Sequence, residues 1–388
     1  MVLALVAGAI VLLILIHNLC YKRLWDRGLE FRMRFSAKEA FEGDRVYLLE
    51  ELHNKKFLPM PWIFAKIRMS SNLQLAQLEE TEGEGEMNAS DNTSESEQGE
   101  EDYFDFNTES SLYSIMMYTT TKRRKPFVCH KRGVCKVYDA RLSASNLLYT
   151  RQFEKDYRIG SEMLIFPKTL ENMPSVELVF RNMDMAILSR LPINPDPFEF
   201  RGIRDYLPTD ALKTINFKAT AISQKLKVNI QAPTCAFKLK LVLNLESAGM
   251  ISNPELYEQS IRLAATFATR YIDQGVSVAF ATNGKDSGTA KTSDLSSGTS
   301  PAHLYKILEC LARLSLSYIC EPLANYIDGL IDKDQVYIFI SPHYGDNMLS
   351  TFAELEHRGI IAYLIIPTYN PGKLINLESN NTTVWDAS

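Results

Sequence analysis

AFKLKLVLNLESAGM, residues 236 to 250, is an apolar run broken only by Lys238 and Lys240, and it ends in a short polar stretch. Apolar residues on both parities of a strand mean burial on both faces, which marks a strand of a parallel sheet. The chain then alternates. Asn253-Pro254-Glu255 starts a helix that runs to about Gln274, with Pro254 at its first position. VSVAFA is the next buried strand, and a Gly/Ser/Thr-rich loop covers Asn283 to Ser300. Ser300 caps a further helix before Pro301, and helical pattern continues to about Leu330. VYIFIS, a helix capped by Asp346 and ending at Gly359, and IIAYLIIP complete the pattern. The sequence predicts a three-layer, Rossmann-like α/β domain over 237–366, its parallel sheet covered by helices on both faces, with 367–388 as a tail.

Ligands of such sheets bind at the carboxyl ends of the strands. After the first strand Asn244, Glu246 and Ala248 take the alternate positions, and only Glu246 and Ser247 supply good oxygen donors. A von Willebrand factor A-type metal site wants Asp-x-Ser-x-Ser there, because a hard divalent cation needs carboxylate and hydroxyl oxygens converging on one point. Asn244, Glu246, Ser247 and Ser341 are therefore degenerate metal-site positions, and the expectation is no bound metal, Mg included. Enzyme signatures of the G-x-S-x-G, H-E-x-x-H, C-x-x-C and G-x-x-x-x-G-K-[ST] kinds are missing, and no catalytic residue or small-molecule substrate is identified. NGKDSGT, 283–289, lacks the second glycine of a phosphate loop.

Upstream, residues 22–236 read as short strands: an EGD turn before an alternating run, then PWIFAKIRM, LYSIMMYTTT, GVCKVYDARLSAS, EMLIFPK and VELVF. This predicts a β-rich, sandwich-like domain. Its acidic insert, 70–111, has the low hydrophobicity and like charge that prevent a packed core, so it is expected to be disordered. Residues 79–109 hold thirteen Asp or Glu and no Lys or Arg, so with −5 overall the rest of the chain stands at +8. No dense basic stripe with interleaved aromatics is present, which argues against nucleic acid. Six scattered cysteines fit reduced thiols, and Cys129, His130 and Cys135 lack the spacing of a zinc knuckle.

Val2 to Ile16 is uncharged and continues through His17, Asn18, Leu19 and Cys20 to Tyr21, about 20 residues or roughly 30 Å as a helix. The sequence predicts a single-pass membrane anchor over 1–21, with Tyr21 and Trp25 at the lipid interface. Lys22, Arg23, Arg27, Arg32 and Arg34 follow it, which places the bulk of the chain in the cytoplasm.

FEFRGIRDYLPTDALKTINFKATA, 198–221, is expected to join the two folded domains. Leu212, Ile215, Ala219 and Ile222 recur at helical spacing as a buried stripe. Arg201, Arg204, Asp205, Asp210, Lys213 and Lys218 surround that helix, where they serve either as a structural clasp or as a partner surface. These residues carry a resemblance. Arg204, Tyr206, Pro208, Asp210 and Ile215 match R-E-Y-x-P-G-D-x-x-R-x-I-x-W-x-x-x-A-R, with Asp205 for Glu, Lys213 for Arg, Phe217 for Trp, Thr209 for Gly and Ile222 for the last Arg. KRGVCKV at 131–137 and LIFPK at 164–168 are further matches. The chain resembles a divergent member of the domain of unknown function 58 family: membrane-linked bacterial proteins with a von Willebrand factor A-like region, often encoded beside MoxR-type AAA+ ATPases.

The resemblance implies no reaction. It implies a membrane-tethered, non-catalytic adaptor working with a MoxR-type AAA+ ATPase in assembly or maturation of a partner complex. The alternative reading is a divalent-metal-dependent hydrolase or metal-dependent adhesion-type binding module built on Glu246 and the later strand ends.

Overall fold

A computed structural model describes most of residues 8–387; outside it lie 1–7, 77–105, 147–150, 171–172, 191–194, 208–214, 234–236, 248–252, 375–378 and a few single positions near these stretches and near 9–20 and 328–333. The chain divides into two units, residues 1–168 with 311–313, and residues 169–310 with 314–388. The 198–222 stretch thus falls in the second unit.

The first unit contains β1 (Leu29–Phe35), β2 (Glu39–Phe41), β3 (Arg45–Asn54), β4 (Met60–Ser70), β5 (Leu73–Leu75), β6 (Phe106–Ile115), β7 (Thr120–Cys129), β8 (Gly133–Ser145) and β9 (Gln152–Phe166). They form a four-stranded sheet in the order β1-β3-β7-β5 and a five-stranded sheet in the order β2-β9-β8-β4-β6. Strict alternation drives the packing: β3 buries Val46, Leu48, Glu50, Leu52 and Asn54 and turns the intervening residues toward solvent. One apolar core runs between the sheets, from Phe31 and Leu48 to Ile67, Tyr113 and Leu142.

The predicted membrane anchor is corrected here. Most of its span lies outside the described residues, and no helix among the described residues is long and apolar enough to cross a membrane. Its expected interfacial aromatics belong to the β core. Tyr21 is fully buried and donates its hydroxyl to the Pro59 carbonyl at 2.6 Å, while Trp25 stacks on Phe153 at 5.9 Å. An amphipathic aromatic satisfies a strand carbonyl as well as a lipid headgroup region, and the sequence alone does not distinguish the two. The single-pass, membrane-tethered description falls with the anchor.

The second unit begins with α1 (Pro174–Arg190), which contains VELVF, a stretch expected to be a strand. Pro174 sits at the helix start, and Val176, Val179, Phe180, Met183 and Ile187 are buried at helical spacing. A two-stranded ribbon follows, β10 (Pro195–Asp205) with β11 (Lys227–Pro233), and between them α2 (Phe217–Ser223). Then come β12 (Lys238–Leu243), α3 (Pro254–Asp273), β13 (Ser277–Thr282), β14 (Lys285–Asp286), β15 (Ser293–Gly298), α4 (Pro301–Arg313), β16 (Leu314–Ser315), α5 (Leu323–Ile327), β17 (Gln335–Ile340), α6 (Asp346–His357), β18 (Ala362–Thr368) and β19 (Thr382–Asp386).

The main sheet has the order β15-β13-β12-β17-β18-β19. β12, β13, β17, β18 and β19 pair in parallel, whereas β15 pairs antiparallel to β13. Register places Val242, Phe339 and Leu364 in one row, packed against Met348, Phe352 and Leu355 of α6. The fold class is therefore corrected to a β-rich protein with mixed sheets, in which no helix among the described residues is long and apolar enough to cross a membrane. Two segments account for the difference. Residues 293–298, expected in a loop, form the antiparallel edge, and residues 382–386 of the expected tail add a sixth strand.

α6 starts behind Gly345 as its N-cap, with no side-chain cap, so Asp346 is the first helical residue instead of the cap.

Candidate functional site

Three adjacent parallel strands, β13, β12 and β17, are each followed at once by a short polar residue: Asn283, Asn244 and Ser341. All three are fully buried. Asn283 Nδ2 donates to Asn244 Oδ1 at 2.7 Å and to the Glu321 carbonyl at 2.9 Å. Asn244 Nδ2 in turn donates to Ser341 Oγ at 2.9 Å, and the Ser341 hydroxyl donates to the His343 carbonyl. The Leu245 N–H donates to Asn283 Oδ1 at 2.8 Å, and that of Glu246 to Asn244 Oδ1 at 3.0 Å. Side chains that would face a ligand in an open strand-end site are here spent on one another and on the turning backbone. Such a buried network costs free energy if any member is removed and rigidifies the strand ends when complete.

Of the four degenerate metal-site positions, the structure brings Asn244 and Ser341 together and sends Glu246 elsewhere. Glu246 Oε2 accepts the Leu323 N–H at 3.0 Å at the start of α5, and its carbonyl accepts the Tyr257 hydroxyl at 2.9 Å. Ser247 is half-buried. Asn283 was missed by the sequence reading, which assigned it to a loop. Its signal was position: it stands one residue past its strand, as Asn244 and Ser341 do. Among the described residues no group of His, Cys, Asp or Glu is arranged to hold a metal ion.

The helix expected after the RDYLPTD stretch takes a different form from the buried one predicted. Pro208, Asp210 and Lys213 lie outside the described residues, as does Leu212 of the expected stripe. Asp205 stands opposite Lys227 in the ribbon, and Lys227 Nζ lies 2.5 Å from Asp205 Oδ1. The hydrogen bond from Lys227 holds the Asp205 carboxyl below the usual carboxylate range. Arg204 Nη1 donates to the Asp205 carbonyl at 3.0 Å, and the Tyr206 N–H to the Leu226 carbonyl at 2.9 Å. Asn216 caps α2, its side chain accepting the Ala219 N–H at 2.9 Å. α2 contains no buried residue: Phe217 is 76% exposed and Ile222 79%. Of the predicted buried stripe Ile222 is exposed and Ile215 and Ala219 are half-buried, because this helix is only seven residues long and no element covers Ile222 among the described residues. Arg204, Asp205 and Lys218 are also exposed, and Tyr206 is half-buried.

The other two stretches behind the resemblance meet at one carboxylate. Glu42 Oε1 accepts the Arg132 N–H at 2.9 Å and Glu42 Oε2 the Lys168 N–H at 3.0 Å, so the EGD turn, KRGVCKV and LIFPK are joined as a structural knot. Burial pushes the Cys129 thiol up to about 11 and the Cys135 thiol up to about 12, which leaves both inert.

Comparison with known proteins names no family. No family model matches the chain, and no curated protein matches it. Among solved structures the chain is similar to an alkylpurine DNA glycosylase, AlkC, from Pseudomonas fluorescens (6% identity, 34% of this chain and 31% of that one, TM-score 0.19). It is also similar to the sporulation control protein Spo0M of Bacillus subtilis (12%, 46% and 58%, TM-score 0.19) and to E. coli alpha-2-macroglobulin (12%, 36% and 7%, TM-score 0.20). The chain spans less than two thirds of each. At such scores the likeness carries no argument about fold or function. The family resemblance of the RDYLPTD stretch, and with it the von Willebrand factor A-like description, gains no support from these comparisons.

Proposed function

We propose that this chain is an interaction protein whose docking face is the β10-β11-α2 ribbon. The observation that carries this reading is the exposure of Ile203, Leu207, Phe217, Ile222 and Leu226, five large apolar side chains within one small module. Single exposed apolar residues are ordinary, but such a concentration beside charged groups is the usual composition of a protein-binding surface. Arg204, Lys218 and the Asp205–Lys227 pair supply the charged surround. The partner class we assign is a MoxR-type AAA+ ATPase, and what supports that choice is the resemblance at Arg204, Asp205 and Tyr206. The role that follows is adaptor work in assembly or maturation of a complex.

A strand-end hydrolase finds less support. Asn244, Asn283 and Ser341 offer neither a paired carboxylate nor a nucleophile beside a base, and Glu246 is engaged at α5.

The test is retention of a purified MoxR-type ATPase, held in its ATP state, by the immobilised full chain. The double variant Phe217→Ser/Ile222→Ser should lose retention while melting at the parent temperature. Equal retention by parent and variant would remove the ribbon from the interface, and no retention by the parent would remove the ATPase.

A further inference from the structure

Strands β6 and β7 are separated by four residues, a length that ordinarily closes a hairpin. They do not pair. β6 joins β4 in the five-stranded sheet and β7 joins β3 in the four-stranded one, so the two strands splay apart after the turn. On its other side, among the described residues, β7 pairs with β5 at Phe127–Cys129 and with no other strand. Residues 120–125 are therefore paired to β3 along one side and carry no strand along the other, among the described residues.

Parity decides which backbone groups line that edge. The Pro126 carbonyl accepts the Ala76 N–H on the β5 side at 3.1 Å, while the Cys129 N–H and carbonyl bond to Asp44 and Gly43 on the β3 side. Successive residues of a strand point their N–H and C=O groups to opposite sides, so Thr120, Lys122 and Arg124 present theirs to the open edge. Pro126 shares that parity and has no N–H, which sets one end of the usable ladder.

The same six residues carry the run Lys122-Arg123-Arg124-Lys125. Arg123 lies over the Tyr113 ring at 4.7 Å and Arg124 over the Tyr47 ring at 4.4 Å, which fixes both guanidinium planes. Lys122 faces Glu51 at 3.5 Å, and Lys125 faces Glu109 at 3.7 Å and Glu50 at 4.0 Å. The geometry points to residues 120–125 as a docking edge for an extended acidic segment of another protein, which adds to β7 as a strand. Backbone donors and acceptors supply the ladder, and the basic side chains on both faces select carboxylates. This surface lies in the first unit and stands independently of the ribbon proposed above.

The test uses the full chain and a fluorescent ten-residue peptide alternating glutamate and threonine, followed by anisotropy. The peptide should bind saturably, with affinity falling as salt rises. A copy with N-methyl groups on alternate amides, which keeps the charge and removes ladder donors, should bind roughly tenfold more weakly. Lys122→Gln should weaken binding a few-fold. Lys122→Pro, which places proline at the parity of Pro126 and leaves the β3 ladder intact, should weaken it about tenfold further. Equal binding of the N-methylated peptide would reduce the edge to a charged patch and overturn the proposal. So would absence of binding, or binding that appears only when 79–105 are deleted, since the edge would then belong to this chain's own acidic stretch. If Lys122→Pro lowers the melting temperature, the N-methylated peptide decides alone.

Discussion

Tyr113 on β6 donates its hydroxyl to the carboxyl of Glu50 on β3, so a titratable contact crosses the otherwise apolar core between the two sheets of the first unit. Glu50 is fully buried, and its Oε1 has no hydrogen-bond partner among the described residues. Burial raises its pKa above the usual carboxylate range, and Lys125, Tyr113 and Arg123 oppose that rise without cancelling it.

A raised folded-state pKa favours the protonated native form, so the Glu50 contribution is fully present below the unfolded value near 4.5 and is lost as pH rises through the folded value. Glu50→Gln should remove this dependence. The difference in unfolding free energy between variant and parent should grow in the variant's favour as pH rises above about 4.5, by up to about 1.4 kcal/mol per pH unit until Glu50 is ionised in both states. Urea melts at several pH values measure it. A pH-independent difference would show that Glu50 titrates alike in the folded and unfolded states and that its pKa is not raised.

Asn283→Ala should destabilise the second unit by about 2 to 3 kcal/mol, because it strands the Leu245 N–H and the Glu321 carbonyl in a buried place and leaves Asn244 Oδ1 with the Glu246 N–H alone. Chemical denaturation reads the loss. A cost below about 0.5 kcal/mol would mean that the network is not tight.

Phe180 of α1 stacks on Phe267 of α3 with centroids 4.0 Å apart, and Arg270 lies over the Phe180 ring at 4.2 Å. Phe180→Ala should therefore cost about 3 to 5 kcal/mol, and Phe180→Leu much less. Equal small costs for both would argue that α1 does not pack on α3.

Phe217→Ser should change the melting temperature little, since the side chain is mostly exposed and surface substitutions stay within about 0.5 kcal/mol. A large drop in thermal melting would mean that Phe217 is covered, and would remove it from a free docking face.

AFKLKLVLNL, VSVAFA, VYIFIS and IIAYLIIP declare themselves as strands in the sequence, because burial on both faces leaves a nearly continuous apolar run that needs no partner to be recognised. Helix starts such as Asn253-Pro254 and Ser300-Pro301 are equally local, since a cap and a proline act within one turn. Pairing is not local. That β15 and β19 join the main sheet, that VELVF coils instead of extending, and that Tyr21 packs in a β core depend on what lies opposite each segment in space. The strand-end network shows the same division. Glu246 looks like a ligand in sequence and becomes a helix partner in the fold, while Asn283, unremarked in a Gly/Ser/Thr-rich stretch, becomes central because three parallel strands end side by side. Hydrophobic pattern and capping chemistry are properties of neighbours along the chain, whereas hydrogen-bond satisfaction of a buried polar group is a property of neighbours across it.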